Sequence, residues 1–198
     1  MKRFKGTKGV IILIVLVALM VGYYFYLSNK SGKEAAEADK EMSAVDTVLL
    51  RDLSINYPPT VKEVVKYYGD VLLCMYSGNC SDSDLDRLAK QMLYLYDDDL
   101  VANNPWNEYI LRLREDVHDY NENDRKISSY IPAGSSSVDY FSINSSEWAR
   151  IQCTFYRKEK AASEPVSEIF LLRKDDSGKW KIFGWDLSSN VSVDKTEE

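Results

Sequence analysis

The fold is decided by a hairpin near the end of the chain, with the sequence IFLLRKDDSGKWKIFGW at residues 169–185. Two runs rich in apolar residues, 168–174 and 179–187, flank the sequence Asp-Asp-Ser-Gly at residues 175–178. Asp, Ser and Gly favour tight turns because they tolerate turn backbone angles or bond to their own backbone. We therefore predict two antiparallel strands joined by a short loop.

Three more strands are predicted upstream of this hairpin, because apolar and polar residues alternate there with a period of two. The three segments are residues 127–131, 138–143 and 149–158. In the last segment, Ile151, Cys153 and Phe155 fall on one side, and we expect that side to face the core.

The region before the strands contains three segments whose apolar residues recur at helical spacing. The first follows Thr60 and ends at Gly78, the second follows Ser81, and the third begins at Asn104, which precedes a proline. Helices followed by antiparallel strands indicate the α+β class. We predict three helices packed on one face of a curved antiparallel sheet.

A membrane anchor is predicted at residues 10–27, an uncharged and mostly apolar run. As a helix rising about 1.5 Å per residue it would span about 27 Å, close to the hydrocarbon thickness of a bilayer. Aromatic residues close the run, and the basic head at residues 1–9 stays in the cytoplasm by the positive-inside rule. This predicts a single-pass protein of the cell membrane with an extracytoplasmic C-terminal domain; a cleaved signal peptide is the alternative.

The rest of the chain divides into a polar stalk at residues 28–54, one globular domain at residues 55–187 and a loose tail at residues 188–198. After residue 27 the chain has 21 basic and 31 acidic residues. An acidic domain repels the phosphates of nucleic acids. We therefore predict no nucleic-acid partner.

The order of helices and strands resembles the nuclear transport factor 2-like superfamily, the cystatin-like α+β cone. The similarity covers residues 55–187 and is carried by the helix at 61–76, the helix at 81–96, the helix that follows Asn104, and the final hairpin. The combination of this domain with the anchor is also similar to membrane-anchored proteins of Gram-positive clostridial bacteria. The resemblance implies an outward-facing domain on a bacterial membrane, and it leaves the function open because this fold hosts both enzymes and scaffolds.

No motif in the sequence marks a catalytic, cofactor or metal site. An isomerase-like cone needs a carboxylate base and tyrosine hydroxyls in an apolar pocket. The chain has 14 Tyr and candidate acids such as Asp139, but no spacing pairs them. We predict a non-enzymatic interaction module without a cofactor, and the alternatives are a small-ligand-binding or isomerase-like cone and an accessory scaffold of envelope or secretion machinery.

The final hairpin is apolar on both faces, and the helices can cover only one of them. With a four-residue loop, Leu171 would face Ile182 on the core side. The other side would then carry Phe170, Leu172, Phe183 and Trp185. We predict that these four residues contact a protein partner or a second copy of the chain, unless the tail or loops cover them.

The three cysteines cannot all pair within one chain. Cys74 lies near the end of the first predicted helix and Cys80 follows the turn at Gly78, so the two could form a disulfide bridge or remain free thiols. Cys153 points with the apolar residues of its strand, and we expect a buried free thiol there.

Overall fold

The computed structural model describes residues 43–190, which form five α-helices followed by five β-strands. The helices are α1 (Ala44–Leu49), α2 (Val61–Met75), α3 (Asp82–Leu93), α4 (Asp98–Ala102) and α5 (Trp106–Glu122). The strands are β1 (Arg125–Pro132), β2 (Asp139–Ile143), β3 (Ser146–Glu159), β4 (Ala162–Lys174) and β5 (Trp180–Leu187). The predicted α+β class is confirmed.

Side-chain caps begin α2 and α3, as the sequence predicts. The hydroxyl of Thr60 accepts a hydrogen bond from the backbone N–H of Glu63 at 3.2 Å. The hydroxyl of Ser81 accepts one from the N–H of Asp84, also at 3.2 Å. Each cap satisfies a helix N–H that has no partner within the helix.

The start of α5 differs from the prediction, which placed Asn104 as its cap. The residue before α5 is Pro105, and no side chain caps this helix. The side-chain amide of Asn104 instead donates to the carbonyl of Leu100 in α4 at 2.8 Å. Asn104 therefore secures the end of the preceding helix, and its amide oxygen points to Arg112 of α5, whose Nη2 donates to it at 3.1 Å.

The folded domain includes residues that the sequence assigns to the stalk. Helix α1 packs against α2 and α3. The hydroxyl of Tyr67 in α2 donates to the carbonyl of Val48 at 2.9 Å, and Leu53 is only 2% exposed. The described part of the predicted stalk, residues 43–54, thus belongs to the packed domain.

The five strands form one antiparallel sheet in the order β1-β3-β4-β5, and β2 pairs with β3 along the same edge as β1. All five correspond to the predicted strand segments, although β3 and β4 begin earlier than predicted, at Ser146 and Ala162. The hydrophobic pattern sets the register, since Ile151 of β3 lies opposite Phe170 of β4.

One face of the sheet, here called the inner face, is buried under the helices. Its fully or nearly fully buried residues are Ala149, Ile151, Cys153, Phe155, Phe170, Leu172 and Ile182. The ring of Tyr68 in α2 meets Phe170 edge-on, with 5.1 Å between the ring centroids. Burying each large apolar side chain contributes about 1.5–3 kcal/mol, so this face is a main source of stability.

Helix α2 approaches β1 closely at a glycine. A Cβ atom on Gly69 would lie 2.6 Å from ring carbons of Tyr130. The hydroxyl of Tyr130 donates to the carboxylate of Asp70 at 2.7 Å, which holds the ring against the helix. The contact between helix and sheet therefore requires a residue without a side chain at this position.

The final hairpin has a different register from the predicted one. Its loop spans residues 175–179, and Leu172 pairs with Ile182. The register then shifts between Leu171 and Leu172, so that Phe183 is the extra residue of a β-bulge. The predicted pairing of Leu171 with Ile182 is wrong by one residue, and a one-residue shift exchanges the two faces of a strand.

None of the helices between residues 43 and 190 is long and apolar enough to cross a membrane. The predicted anchor at residues 10–27 lies outside the described residues, as do the basic head and most of the tail. The anchor and the extracytoplasmic location therefore stay predictions.

Candidate functional site

The four residues predicted to form one contact surface lie in different places. Phe170 and Leu172 are 0% exposed on the inner face, so they belong to the core and cannot contact a partner. Trp185 lies on the same side at the sheet edge, packed on Phe170 and 39% exposed. Only Phe183 lies on the outer face, because the bulge turns its side chain away from the helices.

An apolar patch covers part of the sheet face that lies opposite the inner face. This outer-face patch consists of Phe141, Ile143, Trp148, Ile169, Leu171 and Phe183. The six side chains come from four strands and line a groove of about 570 Å³. Part of the patch could be recognised from the sequence, since Trp148, Ile169 and Leu171 alternate with the inner-face residues on β3 and β4. The predicted register, however, assigned Leu171 to the core.

Three aromatic rings build the centre of the outer-face patch. Phe141 of β2 lies directly opposite Trp148 of β3 in the register. The ring of Trp148 meets that of Phe183 edge-on, with 5.0 Å between the centroids. The guanidinium of Arg173 lies 5.5 Å from the Trp148 centroid and 5.2 Å from the Phe183 centroid, within range of cation–π attraction.

Two carboxylates fix Arg173 in that position. Its Nε atom donates to Asp97 at 2.9 Å, and its Nη2 atom donates to Asp99 at 2.7 Å. Asp97 is 3% exposed, so it is a buried carboxylate, and it forms an ion pair with Arg173. Hydrogen bonding to Asp97 raises the pKa of the Arg173 guanidinium above its usual value, so a charged group lies beside the rings of Trp148 and Phe183.

The rim of the groove carries charges of both signs. Arg150 lines the groove and pairs with Asp139 at 2.7 Å. Asp186 of β5 also lines the groove. Asp139, the acid that the sequence offered as a candidate base, is therefore an exposed rim residue and does not lie inside the domain.

The acid on the inner face is Glu168, which sequence reasoning missed. It lies on β4 opposite Cys153, and burial raises its pKa to about 7. Burial also raises the pKa of the Tyr68 hydroxyl well above its usual value, and the charge of Glu168 adds to that shift. A carboxyl group and a tyrosine hydroxyl are groups that acid–base catalysis uses. Tyr68, however, is only 4% exposed and packs against the rings of Phe170 and Trp185.

A second cavity, the edge pocket, lies between α5 and the outer edge of β5. Its volume is about 410 Å³. The residues that define it are Leu93, Tyr96, Leu100, Tyr109, Arg112 and Trp185. Its walls are aromatic and aliphatic, and Arg112 is the charged side chain among the residues that line it.

The structure gives all three cysteines as free thiols. The bridge that the sequence allowed between Cys74 and Cys80 is therefore not formed in it. Burial raises the pKa of the Cys80 thiol to about 11 and that of Cys153 to about 12. These thiols are poor nucleophiles at neutral pH, because the reactive species is the thiolate.

Between residues 43 and 190, no group of three or more His, Cys, Asp or Glu side chains converges as metal ligands would. His118 is the single histidine of the chain, and its Nε2 atom lies 3.1 Å from the carboxylate of Glu122. Its side chain is 73% exposed, which is a surface position.

The described residues define a small α+β domain with helices on one sheet face and an apolar groove on the other. The chain belongs to the family described as domain of unknown function DUF6715, whose model matches residues 1–185. The match covers the predicted anchor as well as the folded domain. No curated protein matches the chain.

Proposed function

We propose that this protein is a non-enzymatic interaction module that associates with another copy of itself through the outer-face patch. The observation that carries this proposal is the apolar groove of about 570 Å³ on the sheet face away from the helices. Ile143 in this patch is 48% exposed, and exposed apolar clusters of this kind favour contact with a protein partner. Aromatic residues and arginine, which the groove contains, are enriched in the centres of interfaces.

The charges around the patch favour a second copy as the partner. The rim contains charges of both signs, since Arg150 pairs with Asp139 and Asp186 also lines the groove. A two-fold contact brings the same surface of both copies together, so a patch with both signs can pair its cations with the other copy's anions. A partner of one charge sign would meet repulsion from the rim charges of the same sign.

Membrane tethering supports the same arrangement. We propose that residues 10–27 anchor the chain in a bacterial cell membrane, with residues 43–190 on the extracytoplasmic side. The uncharged run and the basic residues before it support this orientation. Two domains tethered to one membrane meet at a raised effective concentration, so even a weak contact between patches is populated.

We also propose membership of the nuclear transport factor 2-like superfamily. Support comes from the order of the elements, with helices first and a five-stranded antiparallel sheet afterwards, and from the burial of one sheet face under α2. The close contact between Gly69 and Tyr130 is consistent with a helix lying directly on the sheet.

The experiment that tests the function is sedimentation equilibrium of the full-length protein in density-matched detergent. The native chain is expected to dimerise as its concentration rises. Ile143→Glu places a charge in the apolar groove and is expected to weaken dimerisation at least about tenfold, since a buried unpaired charge costs several kcal/mol.

Leu111→Glu is the matched control, because Leu111 is also an exposed aliphatic residue (57%, against 48% for Ile143) and lies on α5. This variant should dimerise like the native chain, and both variants should keep the native circular dichroism spectrum. A native chain that is monomeric at every concentration contradicts the proposal. Equal loss of dimer in the two variants contradicts it as well, because the effect would then not depend on the groove.

A further inference from the structure

The edge pocket has the dimensions of a small-molecule site. Its volume of about 410 Å³ falls within the usual range of ligand pockets, about 300–1,000 Å³. It opens between α5 and β5, whereas the outer-face patch lies on the opposite face of the sheet. The two cavities adjoin, because Gly184 and Trp185 line both, but Arg112 lines only the edge pocket and Arg150 only the outer groove.

The pocket has aromatic walls suited to a flat apolar group. The ring of Trp185 lies 5.9 Å from that of Tyr96, with 32° between their planes. The ring of Tyr109 meets Tyr96 nearly perpendicularly at 6.3 Å. A tryptophan that is 39% exposed at the wall of a cavity leaves apolar area that a ligand can cover.

The charged side chain in the lining of the pocket is Arg112, which neutral groups position. Its Nη2 atom donates to the side-chain oxygen of Asn104 at 3.1 Å, and its Nε atom donates to the backbone carbonyl of Glu108 at 3.4 Å. Among residues 43–190 no carboxylate forms an ion pair with it. Its neighbour Arg114, in contrast, pairs with Asp86 at 2.6 Å.

We propose that the edge pocket binds a small organic anion with a flat apolar body and one carboxylate or sulfonate group. The apolar body lies against Trp185 and Tyr96, and the anionic group accepts hydrogen bonds from Arg112. A guanidinium is suited to this role because its planar fork matches the geometry of a carboxylate. A cationic ligand is excluded by the charge of Arg112, and a neutral one leaves that charge without a counterion.

Isothermal titration calorimetry of the full-length protein with two probes tests this proposal. The probes are naphthalene carboxylate and naphthalene methanol, which share the ring system and differ in charge. Naphthalene carboxylate is expected to bind with a Kd of about 1 mM or tighter. Arg112→Gln should weaken the carboxylate about tenfold and leave the affinity for the alcohol unchanged, because only the charged hydrogen bond is removed.

Three further variants make the result specific. Arg112→Lys keeps the charge and should recover part of the carboxylate affinity. Trp185→Leu should weaken both probes, since it removes an aromatic wall. Arg150→Gln, which changes an arginine in the other apolar groove, should change neither.

Several results would overturn the proposal. One is an absence of carboxylate binding to the native chain at millimolar concentration. Another is an equal affinity of the native and Arg112→Gln proteins for the carboxylate. A third is an equal loss of affinity for both probes in Arg112→Gln. A loss of binding in Arg150→Gln would also overturn it, because the ligand would then lie in the outer groove.

Discussion

Arg173 of β4 reaches across the sheet edge to Asp97, a carboxylate that is 3% exposed, and its Nε atom donates to that carboxylate at 2.9 Å. The same guanidinium lies over the rings of Trp148 and Phe183. Asp97 also caps α4, since its side chain accepts from the N–H of Asp99 at 3.0 Å. One ion pair therefore connects the outer-face patch to the segment that leads into α4.

The first prediction concerns this ion pair. Asp97→Ala should lower the free energy of unfolding by about 3 kcal/mol, because it leaves the Arg173 charge poorly compensated and removes a helix cap. Asp99→Ala removes a partner whose side chain is 61% exposed and should cost less than about 1 kcal/mol. Denaturant unfolding followed by circular dichroism measures both, and equal effects of the two variants would contradict the buried position of Asp97.

The contact between α2 and β1 gives a second prediction. Gly69→Ala places a methyl group 2.6 Å from the ring of Tyr130 and should destabilise the domain by about 1–3 kcal/mol. Gly184→Ala is the control, since a Cβ atom there meets nothing within 4 Å. Thermal unfolding of the two variants compares them, and a Gly69→Ala protein as stable as the control would show that α2 lies further from the sheet.

A third prediction is a pH dependence due to Glu168. Its pKa is raised from 4.5 to about 7 by burial, so the folded state holds the proton more tightly than the unfolded state. Stability from this group is fully present below about pH 4.5 and is lost as the pH rises through about 7. The loss should amount to about 1–2 kcal/mol, after allowance for partial exposure of the side chain.

Glu168→Gln tests whether Glu168 causes this pH dependence, because the glutamine side chain is neutral at every pH. The variant should lack the decline in the free energy of unfolding between about pH 5 and pH 8. It should therefore be more stable than the native protein at the alkaline end of that range. A native protein and variant with parallel pH profiles would show that Glu168 is solvated in the fold.

The fourth prediction is the state of the cysteines. Because burial raises the pKa of Cys80 to about 11 and of Cys153 to about 12, the folded protein should react very slowly with iodoacetamide near pH 8. After unfolding without reductant, mass spectrometry should find all three cysteines alkylated. Alkylation of one cysteine per unfolded chain would show instead that Cys74 and Cys80 form the bridge that their sequence positions allow.

The sequence is sufficient to predict three of the helices (α2, α3 and α5) and the five strands, because their signals are local. The caps at Thr60 and Ser81 satisfy nearby N–H groups, and the alternation of Ile151, Cys153 and Phe155 needs only the pleat of one strand. The short helices α1 and α4 were not predicted, and α1 shows why. Its six residues carry no apolar stripe long enough to detect, and packing against α2 and α3 supports it.

The contact surface could not be predicted in the same way, because it depends on pairing between strands. A five-residue loop and a bulge at Phe183 place Leu172 opposite Ile182, and alternation within β4 alone does not distinguish its two faces. The outer-face patch also depends on β2, which brings Phe141 beside Trp148. Glu168 and the edge pocket likewise arise from tertiary packing.

The central claim, that two copies meet through the outer-face patch, is tested most directly by photo-crosslinking of the full-length protein in a bacterial membrane. A benzophenone amino acid is placed at position 143 in one variant and at position 111 in another, both exposed positions. The account predicts a crosslinked dimer from position 143 and none from position 111. A dimer from position 111 alone, or none from either position, would contradict it.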